Sequence, residues 1–72
     1  MTKQEIFELF GQNITKLRKQ NNMSLEELSE KTNISIKYLS CIENATARRI
    51  RFDHIIFISK ALNVAIHNLF EK

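Results

Sequence analysis

The sequence predicts an all-α fold, five helices packed as one compact bundle. Three observations predict it. Apolar residues recur at three- and four-residue spacing along the chain, and no segment alternates with the period of two that marks a half-buried strand. Helix start and stop residues punctuate that pattern, with Ser24 and Ser35 as starts and Asn33 and Asn63 as stops. The chain of 72 residues has no proline and is 43% hydrophobic, which suffices for a single helical core and one domain spanning 1–72.

The first helix is expected from about Lys3 to Gln20, with Ile6, Phe10, Ile14 and Leu17 on one stripe that Phe7 and Leu9 widen. Asn21-Asn22-Met23 connects it to the second. Ser24 opens that helix as N-cap, and Glu27 three residues on completes a capping box. Leu25, Leu28 and later Ile34 are spaced to meet a core, while Glu26, Glu27 and Glu30 stay in water. Thr32-Asn33 ends the helix, because the turn needs positive φ and asparagine tolerates it best after glycine. Ser35 caps a third helix in which Tyr38, Leu39 and Ile42 face inward. Residues 45–50 form a loop. A fourth helix runs from Phe52 to Leu62, apolar at Phe52, Ile55, Ile56, Ile58, Ala61 and Leu62, and Asn63 stops it as Asn33 does. A last short helix, Ala65 to Phe70, presents Ile66, Leu69 and Phe70.

Residues 24–44 are the most informative segment. Two short helices joined by a turn of three or four residues form an angled pair, the unit that sets its second helix in the major groove of DNA. A plain helical hairpin without a ligand is the alternative. It fits poorly with the outward face of the third helix, where Ile36, Ser40, Cys41 and Asn44 accompany a single charge, Lys37. A merely solvated face carries more charge, and this one suits a surface.

The charge distribution agrees. The net charge of +3 is modest, but Lys16, Arg18 and Lys19 precede the helix pair and Arg48, Arg49 and Arg51 follow it, where phosphates flanking a reading helix would lie. Cys41 is the sole cysteine, so no disulfide framework exists, consistent with a reducing cytoplasm. It reads as a small residue that lets the helix approach the groove rather than as a redox switch, since no second thiol or activating partner is in sight. His54 and His67 lie thirteen positions apart with no cluster of acids or thiols near them, so no metal site is expected. No nucleophile, base and oxyanion set can be assembled, and the chain reads as a non-enzyme without cofactor or small-molecule ligand. Glu5 and Glu8 interrupt the N-terminal apolar stretch, which argues against a signal peptide. The longest apolar run, 55–58, is too short to span a bilayer. Glu71-Lys72 after the last helix reads as a natural stop.

From Phe10 to Phe70 the chain resembles the phage repressor and Cro family, the XRE-type helix-turn-helix regulators. The resemblance rests on Ile14-Thr-Lys-Leu-Arg18-Lys, Ser24-Leu-Glu-Glu-Leu28-Ser, Ile34-Ser, Tyr38-Leu-Ser-Cys-Ile42-Glu43-Asn44 and Lys60-Ala-Leu-Asn-Val64, in that order. It implies a lambda repressor-like DNA-binding domain with recognition helix 35–44. Ser35, Ile36, Lys37, Ser40 and Cys41 would meet base edges, and Tyr38, Asn44, Arg48 and Arg49 would hold phosphates. The loop 43–52 looks like that of the lambdoid subgroup, in which the position of Arg51 points an arginine into the minor groove at the operator centre. A structural ion pair between Arg18 and Glu43 is also implied. Three positions depart from the family pattern. Leu25 stands where a phosphate-binding glutamine is usual, Asn33 replaces the turn glycine, and Ile36 stands where polar readers are common. Isoleucine can pack on a thymine methyl, which points to a more shape-driven code.

The resemblance further implies a homodimer on a palindromic double-stranded operator, with an interface near Ile50, Val64, Ala65 and Ile66. Ile6, Phe7 and Leu9 offer a competing apolar surface. They would also serve the alternative function, an antitoxin-like protein-interaction module with secondary DNA binding.

Overall fold

The computed structural model describes residues 1–72. It contains four α-helices and one short 3-10 helix: α1 Lys3–Gln20, α2 Leu25–Thr32, α3 Ile36–Glu43, α4 Phe52–Ala61, and the 3-10 helix Ile66–Phe70. The expected boundaries of the first four hold to within a residue: Leu62, the C-cap of α4, and Ser35 and Asn44, the caps of α3, fall just outside their helices. The fifth element corrects the expectation of five α-helices. Its opening bond, from the Asn68 N–H to the Ala65 carbonyl at 3.0 Å, spans three residues, as in a 3-10 turn. Five residues leave little room for a further turn, and the terminal carbonyls are taken by α1 instead. Asn13 Nδ2 donates to the Leu69 and Glu71 carbonyls at 2.9 and 2.8 Å. A buried asparagine thus binds the C-terminal segment to the first helix.

The helix starts follow the sequence signals. Thr2 and Ser24 each form a reciprocal capping box, with Glu5 and Glu27 respectively, and Ser35 Oγ accepts from the Tyr38 N–H at 3.1 Å. Thr2 holds the Glu5 carboxyl below the usual carboxylate range, mainly through its backbone N–H and then through its hydroxyl.

The stops repeat one device. After α1, α3 and α4 the chain makes a paired closure. The residue in left-handed conformation donates to the third carbonyl back, and the next residue donates to the fifth. Asn22 (φ 53), Ala45 (φ 60) and Asn63 (φ 57) occupy the left-handed position. Asn33 (φ 60) closes α2 with a single bond to the Ser29 carbonyl. Asn33 and Asn63 do what the sequence signals required. Ala45 is unexpected, because alanine has no side-chain group to offset left-handed strain.

The core is one cluster: Phe10 and Ile14 from α1, Leu28 from α2, Ile34 from the turn, Leu39 and Ile42 from α3, Ile58 and Leu62 from α4, and Leu69. Phe10 stacks on Phe70 with ring centroids 5.0 Å apart, sealing the last segment against α1. α1 packs on α3 and on the 3-10 helix, and α2 packs on α3 and α4. Three apolar residues depart from the expected stripes. Ile6 and Ile66 are exposed, and Phe52 is 68% exposed. Phe52 is the first residue of α4, so it projects beyond the core that Ile58 and Leu62 fill.

Candidate nucleic-acid interface

α2 and α3 are held at an angle by what lies behind them. At the crossing of α1 and α3, Gly11 sits so close to the end of α3 that a Cβ there would lie 2.5 Å from the Ile42 carbonyl oxygen and 2.7 Å from that of Glu43. Next to this crossing Arg18 and Glu43 form a bidentate pair. Arg18 Nε and Nη2 donate to Glu43 at 2.8 and 3.1 Å, with side chains only 13% and 8% exposed. Arg18 Nη1 also donates to the Met23 carbonyl at 2.9 Å, and the Thr15 hydroxyl lies 2.9 Å from Glu43 Oε1. The hydrogen bonds to Glu43 raise the Arg18 pKa above its ordinary value, so the guanidinium is held charged. One carboxylate therefore gathers α1, the connection after it and the last turn of α3. The turn between α2 and α3 is braced separately by Ser29 Oγ, which donates to the Ile34 carbonyl at 2.6 Å.

This frame presents the outward face of α3. Ser35, Ile36 and Lys37 are exposed in its first turn, Ile36 at 45%, and Ser40 and Cys41 lie half-buried along the same helix. The Ser35 oxygen already caps α3, leaving its proton for an outside acceptor. Asn44 is exposed at the C-cap, with Nδ2 3.4 Å from Ser40 Oγ. A free cysteine sits among these residues, and no group of three metal-ligating side chains converges anywhere in the chain.

The basic loop is tied to this face. The Tyr38 hydroxyl donates to the Arg49 carbonyl, and the Tyr38 ring meets His54 edge-on with centroids 5.5 Å apart. Tyr38 has one hydroxyl proton and it is committed inside the chain, so the residue binds the loop rather than presenting a free donor. Arg48, Arg49 and Arg51 are exposed. Arg51, the N-cap residue of α4, forms a bidentate pair with Asp53, Nε to Oδ1 at 3.1 Å and Nη2 to Oδ2 at 3.0 Å. Ile50 and Val64 pack partly against the core, whereas Ala65 and Ile66 are open. Phe7 and Leu9 are half-buried, and the Lys3 ammonium lies over the Phe7 ring. The larger free apolar surface is Phe52, with Ile56 one turn further along α4 and half-buried without joining the core.

Sequence reasoning missed Gly11, Thr15, Asn13 and Asp53. Gly11 left a signal, as the single glycine of the chain placed inside a helix, where glycine is otherwise unfavourable. Asn13 and Thr15 left none, because their partners are set by packing, and Asp53 reads as an ordinary acid in the first turn of a helix.

A helix-turn-helix family model matches residues 14–69. The HTH-type transcriptional regulator SinR of Bacillus subtilis (strain 168) is 33% identical over 64 residues, which is 89% of this chain and 58% of the relative. SinR of Bacillus licheniformis is 34% identical over 61 residues, 85% of this chain and 55% of the relative. The chain thus spans a little over half the length of these curated relatives. Among solved structures, the restriction-modification controller protein C.AhdI from Aeromonas hydrophila superposes with a TM-score of 0.83 at 25% identity, covering 89% of this chain and 96% of that one.

Proposed function

The chain belongs to the XRE-type helix-turn-helix family of transcriptional regulators, and from that premise we propose that it binds a short palindromic operator in double-stranded DNA as a homodimer, acting as a Cro-like repressor or a controller. The observation that carries the reading is the outward face of α3, open from Ser35 to Lys37, low in charge and backed by an arginine loop tied to it through Tyr38. An eight-residue helix is about 12 Å long, comparable to the width of the major groove.

In this reading Ile36 packs on a thymine methyl and Lys37 reaches guanine O6 and N7, with Ser35, Ser40 and Cys41 near neighbouring base edges. Asn44, Arg48 and Arg49 hold phosphates. Tyr38 acts one step back, fixing the loop that carries the arginines. Arg51 enters the minor groove, where a narrow A·T-rich stretch concentrates negative potential. The dimer seam draws on Phe52 and Ile56 of α4 together with Ala65 and Ile66, among the apolar groups that the core does not take up.

Selection of duplexes from a random DNA pool at roughly 0.15 M salt, where non-specific charge binding is weak, tests the proposal. The expected result is a two-fold symmetric motif with half-sites about one helical turn apart. Absence of any enriched sequence overturns it and favours a protein partner.

A further inference from the structure

We propose that Asp53 is a specificity-setting residue: by holding the Arg51 guanidinium it makes that arginine discriminate between DNA sites, and it does so at the expense of overall affinity. The inference rests on the operator-binding reading above and adds to it a role for an acid at a DNA-binding face.

The geometry is local and well defined. Asp53 lies in the first turn of α4, where its Oδ1 accepts the His54 N–H at 2.9 Å and so fixes the carboxylate to its own helix. Arg51, two residues earlier in extended backbone, docks both Nε and Nη2 on that carboxylate. The pair remains in water, with side chains 67% and 42% exposed. Asp53 is also the single acid between Asn44 and Phe70, a stretch that contains Arg48, Arg49, Arg51 and Lys60. Through Tyr38, which touches both Arg49 and His54, this segment stands beside the reading helix.

An arginine so held meets DNA as half of a nearly neutral pair. An ordinary phosphate carries one charge and must displace a carboxylate that already grips the fork in bidentate geometry, so the exchange gains little. A narrow minor groove gathers potential from several phosphates and wins the exchange. Once Arg51 has left, the Asp53 carboxylate faces the DNA uncompensated at every sequence. The acid therefore penalises all sites and is outweighed only where Arg51 gains most.

The test measures binding of the wild type, D53N, R51A and the double variant to two duplexes, the selected one and a shuffled duplex of equal length and composition. Asparagine keeps the acceptor for the His54 N–H and removes the charge. In D53N the freed arginine takes an additional phosphate, so the shuffled duplex should bind roughly fivefold more tightly per protomer at 0.15 M salt, with a salt slope steeper by about 0.9. The ratio between the two duplexes should fall, and in the R51A background D53N should leave that ratio unchanged. An unchanged ratio in D53N overturns the proposal. An equal effect of D53N with and without Arg51 also overturns it, since the carboxylate would then act by direct repulsion of phosphates. A wild type that does not distinguish the duplexes is a separate result, which overturns the operator reading and this inference with it.

Discussion

Replacing Gly11 by alanine tests whether the crossing of α1 and α3 is set by backbone contact. The new Cβ would lie 2.5 Å from the Ile42 carbonyl oxygen, about 0.9 Å inside the roughly 3.4 Å at which such contact becomes ordinary. The obstacles are main-chain carbonyls of the last turn of α3, which cannot rotate away as a side chain would. The helices must therefore separate. Overpacking of this kind costs about 1–3 kcal/mol, and a backbone obstacle belongs at the upper end. Alanine returns about 1 kcal/mol through helix propensity. The balance is a loss of about 2 kcal/mol, which for a domain of this size lowers Tm by roughly 8–16 °C. Thermal unfolding followed by circular dichroism reads the shift directly. A Gly11→Ala protein as stable as the wild type, or more so, would show that α1 and α3 are free to move apart and that the glycine has no packing role.

Four further outcomes are expected. Glu43→Ala strands Arg18 largely buried and without its carboxylate, so it should cost about 3 kcal/mol in urea unfolding, and a loss below about 1 kcal/mol would refute the structural pair. Because the Glu5 carboxyl is held below its ordinary range, its contribution is complete above that range and disappears as pH falls through the lowered folded value. Amide protection in the first turn of α1 should decline with acid in the wild type, and should not change with pH in Glu5→Gln. Ile36→Ala and Lys37→Ala should change which bases are preferred, whereas Arg48→Ala should flatten the salt dependence by about 0.9 for each phosphate left without its cation; a drop in affinity uniform across sequences for Ile36→Ala and Lys37→Ala would refute the assignment of α3 as the reading helix. Phe52→Glu should shift sedimentation toward the monomer without loss of helical circular dichroism, because the side chain is free of the core, and an unchanged mass would place the dimer seam elsewhere.

The local signals in the chain are reliable wherever one residue decides the outcome. Ser24 and Ser35 mark helix starts because a short hydroxyl side chain bonds the amides beside it, and Asn33 and Asn63 mark stops because φ is a property of a single residue. What depends on a distant partner is not legible. Asn13 looks like any polar residue on an amphipathic helix until the C-terminal carbonyls arrive beneath it. The 3-10 helix has the same three-residue apolar spacing as an α-helix, so its type is decided by length and by Asn13. Periodicity places Phe52 on a core stripe because it equates apolarity with burial, whereas the position at the end of α4 puts the ring in water. On the candidate site, the open face of α3 is visible as a shortage of charge. The grip of Tyr38 on Arg49 and of Asp53 on Arg51 is not, since each engages, within the chain, a polar group that the sequence leaves free.

The three paired helix closures are not equally secure. Those after α1 and α4 turn on asparagine, but the one after α3 turns on Ala45, and a left-handed alanine gives up about 1 kcal/mol. Local opening should therefore begin at the junction between α3 and the arginine loop. The front of α3 is latched by Ser35 and its rear is held by a catch under tension, steadied by Gln4, which donates to the Ala45 carbonyl at 3.3 Å. If the loop arginines hold phosphates as proposed, a duplex whose phosphates lie off the loop's resting path is accommodated by releasing that catch, while the core and the angle of the helix pair stay as they are.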